Sequence, residues 1–400
     1  MSEPVQSLVQ AGAAVRETVA ESDAGFLWDF WYPAVRSTKV TGNRLATAML
    51  LEVPLVLGRT SEGAAFAMRD SCPHRGIPLS HGRFDGKNLE CSYHGWKFEA
   101  CSGQCVEIPS LTSQDKLKVE RIFAGHYPCE ERDGYFWVYM NSGARIAVAR
   151  GGESQGEEKD NAEAQSTQKL AEKKAGESPT TVPAPKLSTF SENYRITHLA
   201  CELPSHVDQG IIGLMDPAHG PFVHKSWYWR SRHSIHEKEK KFEPIPNGFR
   251  MSSHTPSSNS APYRMLQKYT GEPVTTTIDF VLPNMRTEDI RSGKLWFSSR
   301  ATVTPVRRDL CRIDFVAAWN LLLPVWIFRM FAEKFLRQDQ ETMILQAEGL
   351  KHNPRLMLID DADRPAKWYF GLKANLLESR RTGAAMVHPM PGPVTLHWRS

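Results

Sequence analysis

The 400-residue chain lacks a dominant charge: its net charge is only +4. Nucleic-acid binders concentrate a basic face, so this composition argues against that class of partner. Long apolar runs are missing as well. The nearest, Phe315 to Phe331, is broken by Asn320, Pro324 and Arg329. It falls short of the roughly 20 apolar residues of a membrane span. It reads as core or the wall of a substrate cavity; the alternative is a segment that rests on a membrane surface as a peripheral contact. Met1 to Ala24 carries acids and polar residues and no apolar h-region, so no secretory signal is expected. Seven cysteines, an odd number spread along the chain, do not make a disulfide scaffold. The expected location is the reducing cytoplasm, where thiols stay free to bind metal. No Gly-x-Gly-x-x-Gly fingerprint is present, so the chain is not expected to carry its own flavin or nicotinamide domain.

What is present suffices for more than one packed core, since 41% of the residues are hydrophobic. Gly151 to Lys186 has no aromatic residue and is rich in Glu, Lys, Gln, Ser and Ala. It cannot bury enough apolar surface to offset the entropy of ordering. It reads as a disordered linker or insertion, with a short solvated helix over Glu157 to Lys174 as the alternative. The expected organisation is an N-terminal extension (1–25), a first domain (26–150), the linker (151–186) and a second domain (187–400). The first domain reads as β. Ala48 to Val56, Phe66 to Arg69 and Tyr135 to Met140 are separated by turn signals such as Asp85-Gly86 and Asp133-Gly134. The second is mixed. Thr275 to Val281, Leu295 to Val303 and Cys311 to Ala317 suit an antiparallel sheet, with a turn over Arg307 to Leu310. Helical patterns cover Asp208 to Ala218 and Phe328 to Ala347.

The sharpest motif is Cys72-Pro73-His74 followed by Cys91-Ser92-Tyr93-His94. Each half offers one thiolate and one imidazole. A Rieske [2Fe–2S] cluster needs two Cys on one iron and two His on the other, and two short loops of this kind satisfy it. Zinc is the competing occupant, but its usual patterns pair Cys with Cys and His with His. Cys101 and Cys105, close behind, are expected to be buried free thiols.

A second constellation lies in Asp216-Pro217-Ala218-His219-Gly220-Pro221-Phe222-Val223-His224. Histidines five apart do not share a face of a regular helix. A helix that ends at Gly220-Pro221 would let His224 turn back towards His219. Two His and one carboxylate form the facial triad of non-haem Fe(II) oxygenases. Asp339 is the candidate acid, because it sits in a stripe with Phe331, Phe335 and Met343 at intervals of four, where an acid is costly without a partner. A buried ion pair would explain the same stripe. His198, His206 and His254 have no such spacing and read as ordinary surface or core residues.

Cys72-Pro73-His74-Arg75-Gly76 with Cys91-Ser92-Tyr93-His94-Gly95-Trp96 resembles the Rieske motif of ring-hydroxylating oxygenases and related monooxygenases and O-demethylases. The resemblance extends over roughly Phe26 to Met140. It implies an α+β protein: an N-terminal all-β Rieske domain, then a helix-grip-like antiparallel sheet with helices that carry a mononuclear iron. By the same resemblance Cys72 and Cys91 hold one cluster iron, His74 and His94 the other, and Trp96 packs beside them. His219, His224 and Asp339 match the mononuclear iron ligands, and Asp216 matches the acid that bridges the two metal centres. Ile212-Gly213 stand where many members carry Glu-Asn. The implied function is a terminal oxygenase, fed by a separate NAD(P)H-dependent reductase with or without a ferredoxin. It would use O2 on a hydrophobic aromatic or polycyclic substrate, by hydroxylation or oxidative demethylation, in a homotrimer. Trp227, Tyr228 and Trp229 and the run Leu321 to Phe331 suit such a substrate, or a core. Three readings stand beside this one: a cis-dihydroxylating dioxygenase, a Rieske electron carrier without turnover, and a non-catalytic binding protein.

Overall fold

The computed structural model describes residues 25–143, 182–224, 235–255 and 261–400. The expectations for residues 1–24, for 151–181 and for Trp227, Tyr228 and Trp229 lie outside the described residues. The chain divides into two compact units, one of Trp28–Lys186, the other of Leu187–Ser400 with the residues before Trp28.

The first unit is built of short strands: β1 (Phe30–Arg36), β2 (Ala46–Leu50), β3 (Val53–Arg59), β4 (Ala65–Arg69), β5 (Arg83–Phe84), β6 (Asn88–Glu90), β7 (Lys97–Glu99), β8 (Cys105–Glu107), β9 (His126–Tyr127), β10 (Cys129–Arg132) and β11 (Tyr135–Met140). They form three sheets, ordered β1-β11-β10, β2-β3-β4-β9 and β5-β6-β7-β8. The single run expected over Ala48 to Val56 is instead a hairpin. It reverses at Leu51-Glu52, whose φ angles are +51° and +64°, and Leu50 pairs with Val53. A two-residue hairpin loop wants positive φ, which Gly and Asn adopt readily. Leu and Glu in those places give no turn signal. Val56, Phe66, Leu79, Leu89 and Phe98 form one buried cluster that also takes in Cys72 and Cys91.

The second unit is one antiparallel sheet with helices. In chain order it comprises β12 (Arg195–Leu203), α1 (Val207–Met215), α2 (Gly220–Val223), β13 (Glu237–Ile245), β14 (Gly248–His254), α3 (Ala261–Thr270), β15 (Thr275–Val281), β16 (Met285–Ser292), β17 (Leu295–Arg307), β18 (Leu310–Trp319), α4 (Val325–Leu350), α5 (Arg364–Thr382) and β19 (Val394–Arg399). The strand order is β12-β18-β17-β16-β15-β14-β13-β19.

Alternation along each strand puts every second side chain on one face. Phe297 of β17 and Trp319 of β18 meet Phe328 of α4, with ring centroids 5.6 Å and 4.6 Å apart. Phe242 of β13 and Phe249 of β14 meet Trp368 of α5. Gly210 of α1 lies so close that a Cβ there would stand 2.8 Å from Val303 and 3.0 Å from the Cys311 sulfur. The strand register places all these contacts on the same face. Helices α1, α4 and α5 therefore grip one side of the sheet. Phe315 to Phe331, the most apolar run, is the end of β18, a short loop and the first turns of α4. Among the described residues no helix is long and apolar enough to cross a membrane.

One buried ion pair ties α1 to α5. Lys373 Nζ donates to both oxygens of Asp208, at 2.8 Å and 2.7 Å, and the Tyr369 hydroxyl donates to the same carboxylate. The two charged side chains are 6% and 14% exposed. Removing one partner of such a pair strands the other charge. Lys373→Met is expected to cost ~3 kcal/mol in urea unfolding, and Asp208→Leu with Lys373→Met to recover most of it. A double variant as unstable as the single one would show that packing, not charge, sets the cost.

Candidate functional site

The two cysteine loops of the first unit are built alike. Cys72 N–H donates to the Ile77 carbonyl and Gly76 N–H to the Cys72 carbonyl, both at 2.8 Å. Cys91 N–H donates to Trp96 and Gly95 N–H to Cys91 in the same pattern, at 2.8 Å and 3.0 Å. Gly76 and Gly95 have φ of +72° and +70°, which favours glycine. Asp70 fastens the first loop by accepting from both the backbone N–H and the hydroxyl of Ser80.

The loops present two kinds of ligand at two depths. Cys72 and Cys91 are buried, whereas His74 is half-buried and His94 exposed. The imidazole centroids are 4.6 Å apart, and Trp96 stacks on His74 at 4.6 Å with a 5° tilt, as expected. Burial, with the Cys91 thiol as neighbour, pushes the Cys72 thiol up to about 11. Thiols in this setting ionise when a cation is there to take them. Among the described residues, the donors that converge within 4.8 Å as a group of three or more are His219, His224 and Asp339. The four loop donors are spread more widely than one zinc ion could use. That spread, thiols inside and imidazoles outside, fits a two-iron Rieske cluster. Cys101 departs from expectation. Cys105 is buried, but Cys101 is exposed in the turn between β7 and β8, where no strand pairing draws its side chain inward.

In the second unit the expected helix stops earlier than the sequence suggested. Helix α1 ends at Met215, and Asp216 adopts an extended conformation, with φ −64° and ψ 115°. Pro217 disfavours the helical conformation in the residue before it. Gly220-Pro221 do not end a helix; they open α2, since Pro fits a first helical turn. His219 precedes this short helix and His224 follows it, and that turn folds the two rings towards each other.

His219 Nδ1 donates to the Asp216 carbonyl at 2.9 Å. His224 Nδ1 donates to Gln338 Oε1 at 3.3 Å. With both Nδ1 protons so placed, both Nε2 atoms carry bare lone pairs, and they face each other at 3.1 Å. Asp339 Oδ1 of α4 lies 3.1 Å from His224 Nε2 and 3.9 Å from His219 Nε2. Adjacent donors on one metal ion, each bonded at ~2.1 Å, stand roughly 3 Å apart, so the three atoms suit a single cation. Phe335 stacks on the His224 ring at 3.6 Å, while Phe331 is 40% exposed, so the stripe around Asp339 is only partly sunk. Burial alone would lower His219, but the hydrogen bond and charge of Asp216 and the charge of Asp339 outweigh it and raise the imidazole above its ordinary value. The Asp216 carboxylate also accepts the Ala218 N–H at 2.7 Å. Gln338 was not legible in the sequence, because an amide on a helix beside an acid carries no distinguishing pattern.

Comparison with known proteins bears on the first unit and on the fold. Residues 30–121 match the family model described as "Rieske [2Fe-2S] domain". The oxygenase subunit of 3-chlorobenzoate-3,4-dioxygenase from Comamonas testosteroni is 40% identical over 119 residues, 30% of this chain and 27% of that one. Chloroplastic chlorophyllide a oxygenase from Chlamydomonas reinhardtii is 28% identical over 218 residues, 54% of this chain and 27% of that one. The chain thus spans little more than a quarter of either curated relative. The solved structure of NdmA with caffeine, from Pseudomonas putida CBB5, superposes with a TM-score of 0.65 over 92% of this chain and 96% of that one, at 18% identity; it shares the fold. The first unit is a Rieske [2Fe–2S] domain. The chain as a whole shares the fold of NdmA and, at a TM-score of 0.62 and 18% identity, of dicamba monooxygenase.

The tightest backbone in the first unit is at Gly82, between the two cysteine loops. A Cβ there would stand 1.9 Å from the Glu90 carbonyl oxygen, one residue before Cys91. Backbone cannot yield as a side chain tip can. Gly82→Ala is expected to lower cluster content, read as acid-labile sulfide per chain, by more than half and to lower the melting temperature; unchanged sulfide would show that the loop tolerates the shift.

Proposed function

We propose that this protein is a terminal oxygenase whose mononuclear iron is held by His219, His224 and Asp339. The observation that carries this is the pair of bare imidazole nitrogens 3.1 Å apart, with Asp339 beside them, in a chain that also holds a Rieske domain. An electron carrier would need the first unit alone. When loaded, the cluster supplies single electrons and the iron supplies O2 activation, for hydroxylation or oxidative demethylation.

The residues of the chain do the rest. Asp216 and Gln338 fix each ring with Nε2 inward, which keeps the ligand tautomer set before metal arrives. Phe335 covers one face of His224 and keeps water from it. Asp216 keeps accepting capacity beyond Ala218 and His219, and its side chain is 35% exposed. We read it as a bridge that also accepts from His94 of the partner subunit, in a ring of three copies. Electrons come from a separate NAD(P)H-dependent reductase, directly or through a ferredoxin; the name "oxygenase subunit" of the Comamonas relative suits such a divided system. The substrate is an apolar aromatic or polycyclic molecule, within the range that the relatives' names span, from 3-chlorobenzoate to chlorophyllide a.

Two variants test the assignment. Asp339→Ala removes one triad donor and leaves the first unit untouched. It should keep the rhombic Rieske paramagnetic signal, lose about one iron per chain and lose turnover; turnover near the wild-type rate would mean that the third donor is another residue. Asp216→Ala should keep both metals and the trimer, yet slow oxidation of the pre-reduced cluster by about a hundredfold or more on mixing with substrate and O2. Rapid oxidation with normal product yield would place the bridge elsewhere.

A further inference from the structure

One end of the sheet in the second unit carries side chains that belong neither to its core nor to the candidate metal site. Hydrogen bonds and ring contacts gather four segments there. Thr270, the last residue of α3, has its hydroxyl 2.6 Å from that of Ser292 at the end of β16. Asn320 holds the turn that follows, since its Nδ2 donates to the Lys294 carbonyl at 2.9 Å. Arg195 at the start of β12 donates to the Leu321 carbonyl at 2.9 Å. Phe190 meets Trp296 with ring centroids 5.5 Å apart. The loop after β18 then leads into α4 at Val325.

The most outward side chains of this end are large and apolar. Leu322 is 80% exposed, Met265 and Tyr269 are each 72% exposed, and Trp326 is 69% exposed. On α3 the half-buried Tyr263, Leu266 and Thr270 form the inner face, and the exposed Arg264, Met265, Lys268 and Tyr269 share the outer one. Intervals of four put Met265 with Tyr269 and Arg264 with Lys268, in two adjoining rows. Arg264, Lys268 and Lys294 are exposed and have no ion-pair partner among the described residues. Across residues 190–196, 261–273, 291–295 and 320–326 five cations stand against two acids, Glu192 and Glu272.

We propose that this end of the second unit docks on the surface of an anionic lipid bilayer. Met265, Tyr269, Leu322 and Trp326 enter the headgroup boundary, and Arg264, Lys268 and Lys294 meet lipid phosphates. A basic amphipathic helix of this kind lies in the interface rather than across it. Trp and Tyr favour that depth because each ring is apolar with one polar tip. A protein partner fits the set less well. The centres of protein interfaces are depleted in lysine, whereas Lys268 and Lys294 stand among the apolar tips. The proposal goes beyond the oxygenase reading and does not rest on it. The two meet in one respect: an apolar substrate concentrates in the same bilayer. Trp326 and Asp339 are both on α4, and the rise along that helix sets them about 20 Å apart.

The test is co-sedimentation of the metal-loaded full chain with lipid vesicles, without reductant or turnover. Wild type should bind phosphatidylcholine vesicles with about 30% phosphatidylglycerol roughly a hundredfold more tightly than pure phosphatidylcholine, and lose that preference in about 1 M salt. Arg264→Gln with Lys268→Gln should weaken binding to the anionic vesicles about twentyfold, near fivefold for each charge removed. Lipids brominated near the headgroup should quench tryptophan fluorescence of the wild type. Trp326→Phe should still bind and lose most of that quenching. All these side chains are exposed, so each variant should melt with the wild type. Wild type that ignores anionic vesicles, binding unmoved by loss of Arg264 and Lys268, or quenching retained by Trp326→Phe overturns the proposal. So does a change of assembly size in vesicle-free solution on Met265→Ser with Tyr269→Ser, which would show that this face joins copies of the chain.

Discussion

The second unit depends on one close approach. Two imidazole nitrogens with bare lone pairs are held 3.1 Å apart, each because its other nitrogen is committed to an oxygen acceptor. It persists because the rest of the unit overdetermines it. Helix α1 is pinned to α5 through Asp208 and Lys373 and pressed against the sheet at Gly210. Pro217 and Pro221 fix the chain between α1 and α2, and α4 brings Gln338 and Asp339 from more than a hundred residues away. A single cation would take all three donors at once.

The first unit solves a different problem with the same economy. Its two loops are copies in hydrogen-bond pattern, each turning on a glycine with positive φ. Repetition gives two like pairs, one thiol and one imidazole from each loop. The asymmetry comes from depth: the thiols join the buried cluster of Phe66, Leu79 and Phe98, while the imidazoles stay at the surface. A cluster bound this way keeps its nitrogen-bound side within reach of a redox partner, and thiolate charge is confined to the side where solvent is excluded. Imidazoles in place of two thiolates would raise the potential relative to an all-thiolate cluster.

Legibility in the sequence followed the range of the interactions involved. The cysteine loops were plain, because ligands and glycines lie within a few residues of one another. His219 and His224 were plain for the same reason, although the helix boundary between them was not: the local conformational effect of Pro217 competed with an apolar pattern that continued past it. Asp339 was reachable only as an acid in an apolar stripe, and that stripe proved half exposed at Phe331. The hairpin at Leu51-Glu52 was hidden, since tertiary packing forces a positive φ on residues that do not advertise it. The polar set that the sheet register gathers on the helix-facing side, Arg286, Glu288, Thr276 and His254, was beyond reach altogether. They come from three strands, and only the register of the sheet brings them to one face.

That last limit bears on how such a fold changes substrate. The candidate metal ligands flank α2 and sit on α4, whereas that polar set sits on β14 to β16. The two sets share no residue and no hydrogen bond among the described residues. Substitution on these strands therefore leaves the hydrogen bonds that set the tautomers of His219 and His224 in place. Substitution near the histidines cannot do the reverse, because Asp216 and Gln338 each serve one ring through a single oxygen. A fold with this separation can change its sheet residues without touching the candidate donor set, and a fold shared at 18% identity says little about which substrate a given chain takes.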